Sequence, residues 1–188
     1  FIRKGGCKKM TMQHTYESLA SSTDETLEQA LLDGTQPDLE TIAGNEYRGW
    51  NTPFFAATAG ILRFKKGFLK DPSAGGAVRG YNKDIVAGGG LMDPWTEKGK
   101  DGKAKPFGFY EIVPQTSGPY PNSVLLNYNC PRNFPLDPTK LLRDYVVQVN
   151  PDNPHLLLGK AYLAFPGKWP KVSYFILERV GDADVPVS

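Results

Sequence analysis

The chain has 188 residues and nearly balanced charge, 22 Lys and Arg against 20 Asp and Glu, for a formal net of +2. Its 20 glycines and 16 prolines do not suit a helical bundle, and its 12% aromatic content does not suit a disordered chain. Near neutrality argues against a nucleic-acid binder, whose basic face shows in the total. No apolar run is long enough for a transmembrane helix.

Residues 1–21 read as a flexible tail and 22–188 as one soluble, β-dominated domain. The leader Phe1–Lys9 carries Arg3, Lys4, Lys8 and Lys9 but lacks the apolar core of a secretory signal, and the compartment stays open. Cys7 and Cys130 are too few and too far apart for a disulfide framework. Two free thiols, or one bridge tying tail to body, both fit that spacing. Ser22 and Glu25 read as a capping box, with Leu27, Ala30 and Leu31 on one helical face and Gly34 as the stop. Residues 1–46 hold eight acidic and four basic side chains, which leaves the rest with a net of +6. The acidic helix is therefore expected to lie against a basic body or to dock a protein partner.

Ile42–Trp50 reads as a strand. Thr52 as N-cap and Pro53 at the first helical position then predict a helix over 53–66, ended by Gly67. Phe68–Lys70 and Val78–Val86 flank the turn Asp71–Gly76. Glu97–Pro106, with Lys98, Lys100, Lys103 and Lys105, reads as a solvated loop that could also steer anions. Residues 107–113, 124–128, 145–149, 156–165 and 172–180 are the remaining strand candidates, with one helical turn at 138–142. Both faces of the later strands are apolar: Leu156, Leu158 and Tyr162 on one parity, Leu157, Ala161 and Leu163 on the other. Such strands are covered on both sides. The pattern predicts a mainly β fold, an antiparallel barrel of about seven to nine strands with helices packed outside.

Gly44-Asn45-Glu46-Tyr47-Arg48-Gly49-Trp50 resembles the opening of lipocalin-like (calycin) barrels and of the bacterial GXWXG domain, which is paired with an uncharacterised C-terminal companion. Lys65-Lys66-Gly67-Phe68, Leu126-Asn127-Tyr128, Leu142-Arg143-Asp144-Tyr145, Leu158-Gly159-Lys160 and Tyr174–Arg179 are similar to later segments of that family, in order. The likeness covers about residues 40–180. It implies that Tyr47 or Trp50 on the first strand stacks with Arg179 on the last to close one end of the barrel.

Arg79-Gly80-Tyr81 and Arg143-Asp144-Tyr145 each place a guanidinium and a phenol on one strand face, a pair suited to a carboxylate, although structural pairing explains them equally. With Arg48, Tyr128 and Tyr162 they supply the candidate ligand-binding set: Arg48, Tyr81, Tyr128, Arg143, Tyr145 and Tyr162. His14 and His155 lack ligand-spaced partners, so no metal or cofactor is expected. Gly88-Gly89-Gly90 is not a phosphate loop, and no nucleophile elbow occurs. Trp95 reads as a loop anchor or a residue at the barrel mouth. The expected function is enclosure of a hydrophobic or amphipathic small molecule such as a lipid, isoprenoid or pigment. The alternatives are a barrel enzyme using inward Tyr, Arg and Asp groups, Asp144 among them, and an accessory subunit of a larger assembly.

Overall fold

The structure is a computed structural model that describes residues 13–52 and 62–184. Eight strands follow one another antiparallel: β1 (Asn45–Asn51), β2 (Arg63–Asp71), β3 (Ala77–Asp84), β4 (Phe107–Pro114), β5 (Val124–Asn127), β6 (Leu142–Asn150), β7 (Asn153–Leu163) and β8 (Lys171–Asp182). β8 pairs with β1, and the sheet closes into a barrel. Closure leaves no bare sheet edge. The tightest connections are those of β2 to β3 and β6 to β7. Between β2 and β3, Asp71 accepts from the backbone of Ser73 and Gly75 takes a left-handed conformation (φ 66°).

Strand alternation divides the apolar residues into two cores. Tyr47, Phe64, Phe68, Tyr110, Phe175 and their neighbours fill the lumen. Tyr145, Val147, Leu156, Leu158 and Ile176 face outward under two helices, α1 (Tyr16–Ala20) and α2 (Asp24–Asp33). α2 buries Leu27 and Leu31 completely, each contributing roughly 1.5–3 kcal/mol. The acidic helix meets basic partners on the barrel, Asp24 pairing with Lys171 and Glu28 with Lys160. A third helix, α3 (Leu39–Ile42), packs Ile42 and Leu39 into the lumen core at the end where β1 begins. That end is closed. The other end, the mouth, carries the β1–β2, β3–β4, β5–β6 and β7–β8 connections.

Four glycines seat aromatic rings from the neighbouring strand. A Cβ on Gly49 would lie 2.3 Å from the Phe64 ring, on Gly67 2.1 Å from Tyr81, on Gly80 2.2 Å from Tyr110 and on Gly159 2.0 Å from Phe175. Each pair is directly opposed in its ladder.

Three expectations need correction. α2 is capped by Thr23, which accepts from the Thr26 N–H, while Ser22 follows the α1 C-cap Ser21 and donates to the Ser18 carbonyl. The helix expected over 53–66 does not extend to its end, because Arg63–Lys66 belong to β2, where pairing with β1 and the seat for Phe64 override local helix signals. Residues 53–61 lie outside the described residues. Thr52, the last described residue before them, extends the ladder to Tyr174. Of the expected tail, residues 13–21 are instead a packed segment. Thr15 caps α1, Tyr16 and Leu19 are buried, and Asn150 exchanges hydrogen bonds with the His14 backbone.

Candidate functional site

In a closed eight-stranded order β2 and β6 stand on opposite sides of the barrel. Lys66 on β2 shares the inward parity of Phe64 and Phe68, so its side chain enters the lumen and crosses to Asp144 on β6. The Lys66 Nζ lies 3.2 Å from Asp144 Oδ2 and donates to Asn82 Oδ1 at 2.9 Å and to the Tyr128 hydroxyl. Tyr128 in turn donates to Asp144 Oδ2 at 2.8 Å, and Asn82 is oriented by its amide bond to the Gly108 carbonyl. Rings of Phe64, Tyr110, Tyr128 and Phe175 surround the ammonium at 5.0–5.3 Å.

Both charged side chains are at least 95% buried. Burial pushes the Lys66 ammonium below its ordinary value, against the pull of Asp144. It pushes the phenols of Tyr110 and Tyr128 well up, with the Asp144 charge adding to the effect. One atom is left over: Asp144 Oδ1 is buried and has no hydrogen-bond partner. An unmet carboxylate oxygen costs several times a made hydrogen bond, and native proteins rarely tolerate one. Asp144 Oδ1 is thus a buried acceptor without a donor inside the barrel.

No known protein family, curated protein or solved structure matches the chain. The closed antiparallel barrel is compatible with the lipocalin-like architecture, and the site rests on its own geometry.

Of the residues expected to bind ligand, only Tyr128 joins the lumen group. Arg48 faces outward, ion-paired with Glu178 and stacked on Tyr16 at 4.4 Å. Tyr81 lies over Gly67 on the outer face and donates to Glu46 at 3.0 Å. Arg143 also points out and donates to the Lys140 and Leu142 carbonyls, while Tyr145 and Tyr162 pack in the outer core. The reason is parity. Asp144 takes the inward position on β6, so its neighbours Arg143 and Tyr145 cannot. Tyr47 and Arg179 are opposed in the β1–β8 ladder at the closed end, but the Arg179 guanidinium bonds Asn45 and Asp182. Trp50 faces outward against the helix-covered core. Trp95 anchors its loop, donating to the Phe64 carbonyl and stacking under Arg63 at 3.9 Å.

A second caged lysine sits outside, under α2. Lys160 Nζ lies 2.7 Å from Glu28 Oε2 and 2.7 Å from the Tyr120 hydroxyl, with the rings of Tyr120, Tyr162 and Tyr174 at 5.2–5.4 Å. Tyr120 donates to Glu28 Oε1 and Tyr174 to Oε2. Burial alone would raise the Glu28 carboxyl, but these three donors hold it below its ordinary value. Both oxygens are occupied, and the cluster fastens α2 to β7 and β8.

A third network, Glu46, Lys65, Lys83, Glu97 and Asp184, ties the β3–β4 loop and the segment after β8 to the outer wall. Among the described residues no group of three or more His, Cys, Asp or Glu could hold a metal ion. Cys130 is buried and donates to the Phe109 carbonyl at 3.3 Å; Cys7 lies outside the described residues. Lys66 was missed as a site residue, although its parity with Phe64 and Phe68 in the sequence marks it as a lysine on an apolar face.

Proposed function

We propose that the protein binds a small amphipathic molecule in the mouth half of the barrel, with Lys66, Asp144, Tyr128 and Asn82 as the polar anchor. The observation that carries this reading is the unpartnered Asp144 Oδ1 beside a caged ammonium. A buried ion pair is replaceable by apolar residues with no loss of stability, so stability alone does not call for it. Perturbed titratable groups facing a lumen are characteristic of binding and catalytic sites. The surrounding Phe64, Leu142, Val172 and Phe175 suit an apolar body, and Asp144 suits a hydroxyl or amine at its end.

Native mass spectrometry and solvent extraction of the purified protein test the reading. A bound molecule should accompany the wild type and be absent from Lys66→Met/Asp144→Leu. An extract that is empty for both, together with no binding of long-chain alcohols or amines, would refute it.

A further inference from the structure

Where β4 meets β3 the wall is irregular. Gly80 opposes Tyr110 and Asn82 opposes Phe107, so Gly108 and Phe109 stand against Tyr81 alone, a bulge on β4. Bulges kink a strand, re-aim its side chains and recur beside functional sites. The β4–β5 ladder also stops short, its last pair being Glu111 and Asn127. Beyond it the buried Asn133 carboxamide stands in for a strand. It accepts from the Phe109 N–H at 2.8 Å and donates to the Phe109 carbonyl at 2.7 Å and to the Tyr128 carbonyl at 2.7 Å. These bonds fix residues 128–133 against β4 and set the Arg132 guanidinium over the Phe109 ring at 4.2 Å.

Between them lies a partly open cavity of about 90 Å³ on the outer side of the wall, lined by Arg79, Gly80, Phe109, Glu111, Cys130 and Arg132 with their neighbours. Its charges are held off one another. Arg79 and Glu111 are directly opposed in the ladder, yet Arg79 donates from Nη1 to Asp71 Oδ2 at 2.7 Å instead. Arg132 is kept on Phe109. Among the described residues the side chains of Arg132 and Glu111 have no ion pair and no hydrogen bond, although both are partly buried and line the same cavity. A guanidinium and a carboxylate that share a cavity without joining are preorganised for a ligand carrying both opposite charges. An anion alone would meet Glu111, and a cation alone would meet two guanidinium groups. A zwitterion suits both. The volume is that of about three waters and falls below the roughly 150 Å³ that holds benzene. It fits a carboxylate, an α-carbon and an ammonium, and leaves a side chain outside.

We propose that this cavity binds the head group of a free α-amino acid, its carboxylate on Arg132 and the remaining nitrogens of Arg79, its ammonium on Glu111. The site lies on the outer side of the wall and is independent of the Lys66 group.

NMR titration of the full chain with glycine, N-acetylglycine and glycine methyl ester tests the assignment, read at the amides of Gly80, Glu111 and Arg132. Glycine should shift these amides and saturate. N-acetylglycine lacks the ammonium and the ester lacks the carboxylate, so each should bind at least about tenfold more weakly, the loss of one charge-assisted contact. Arg132→Gln should lose glycine by a similar factor. Glu111→Gln should also lose glycine, yet bind N-acetylglycine more tightly than the wild type does, because the repulsion of its carboxylate is gone. A Glu111 with only a structural role would not invert that preference. Both variants should melt as the wild type does, since neither side chain has a partner to lose. Lys66→Met/Asp144→Leu should bind glycine unchanged, so failure of the lumen reading leaves this result intact. No shift with glycine, N-acetylglycine binding as tightly as glycine, or unchanged glycine affinity in Glu111→Gln would overturn the proposal. So would a loss of stability in both single variants that does not add in the double variant, which assigns the two charges to each other.

Discussion

Two lysines in this barrel sit in aromatic cages, each facing a carboxylate, one on either side of the wall. Outside, Lys160 and Glu28 are 10% and 34% exposed, and every oxygen of Glu28 has a donor. Inside, Lys66 and Asp144 are 3% and 5% exposed, and Asp144 keeps one oxygen without a partner. The same residue types thus make a finished clasp in one place and an unfinished site in the other. What separates them is solvent and completeness. A half-wet pair with all bonds made holds a helix down, whereas a dry pair with a bond missing costs stability and offers a contact.

Removing one partner of the inner pair should separate the two most strongly. Asp144→Ala strands a buried ammonium and should cost about 3–5 kcal/mol in denaturant unfolding. Lys66→Met/Asp144→Leu should be neutral or up to about 4 kcal/mol more stable than the wild type. A double variant as unstable as the single one would mean that the inner pair is structural and would erase the contrast. Glu28→Ala should cost less, about 2 kcal/mol, because Lys160 regains water, and faster hydrogen exchange in α2 should accompany it.

Titration distinguishes the pairs by window. Glu28 is held below its ordinary 4.5, so its contribution is complete above that value and is lost as acid protonates the folded state. Lys66 is held below 10.5, so the unfolded chain binds the extra proton and stability rises with pH over the alkaline range beneath that value. Unfolding measured against pH should have a shallower acid slope in Glu28→Gln, the remainder belonging to other carboxylates held low such as Glu97 and Asp184, and a changed alkaline slope in Lys66→Met, each without affecting the other. The smallest effect belongs to the frame of the clasp. Thr23→Ala should cost about 1 kcal/mol by uncapping α2, with no change inside the barrel.

The barrel was legible because two-faced apolar strands such as Leu156–Leu163 demand cover on both sides, and that cover is the lumen core and α2. Strand bounds were close for β3, β4 and β5. The helix over 53–66 failed where it met β2, since a Pro-led start reports local preference and Arg63–Lys66 answer to a ladder with β1. The site was half legible. Tyr128 and Asp144 were singled out, but the Arg-x-Tyr pattern drew attention to the parity that faces outward. Lys66 was passed over because a lysine is ordinarily assigned to solvent, and only closure of the barrel shows that its face is interior.

The glycine seats have a consequence for how the chain finds its pairing. Slip any of the four ladders by one position and the ring of Phe64, Tyr81, Tyr110 or Phe175 loses its hollow and meets a side chain, while its strand turns the wrong face inward. Mispaired hairpins are thereby penalised twice, sterically and by exposure, in a sequence whose two-faced apolar strands would otherwise accept either face. Gly49, Gly67, Gly80 and Gly159 act as a key cut into the wall, and the chain's many glycines include those that make its alignment unique.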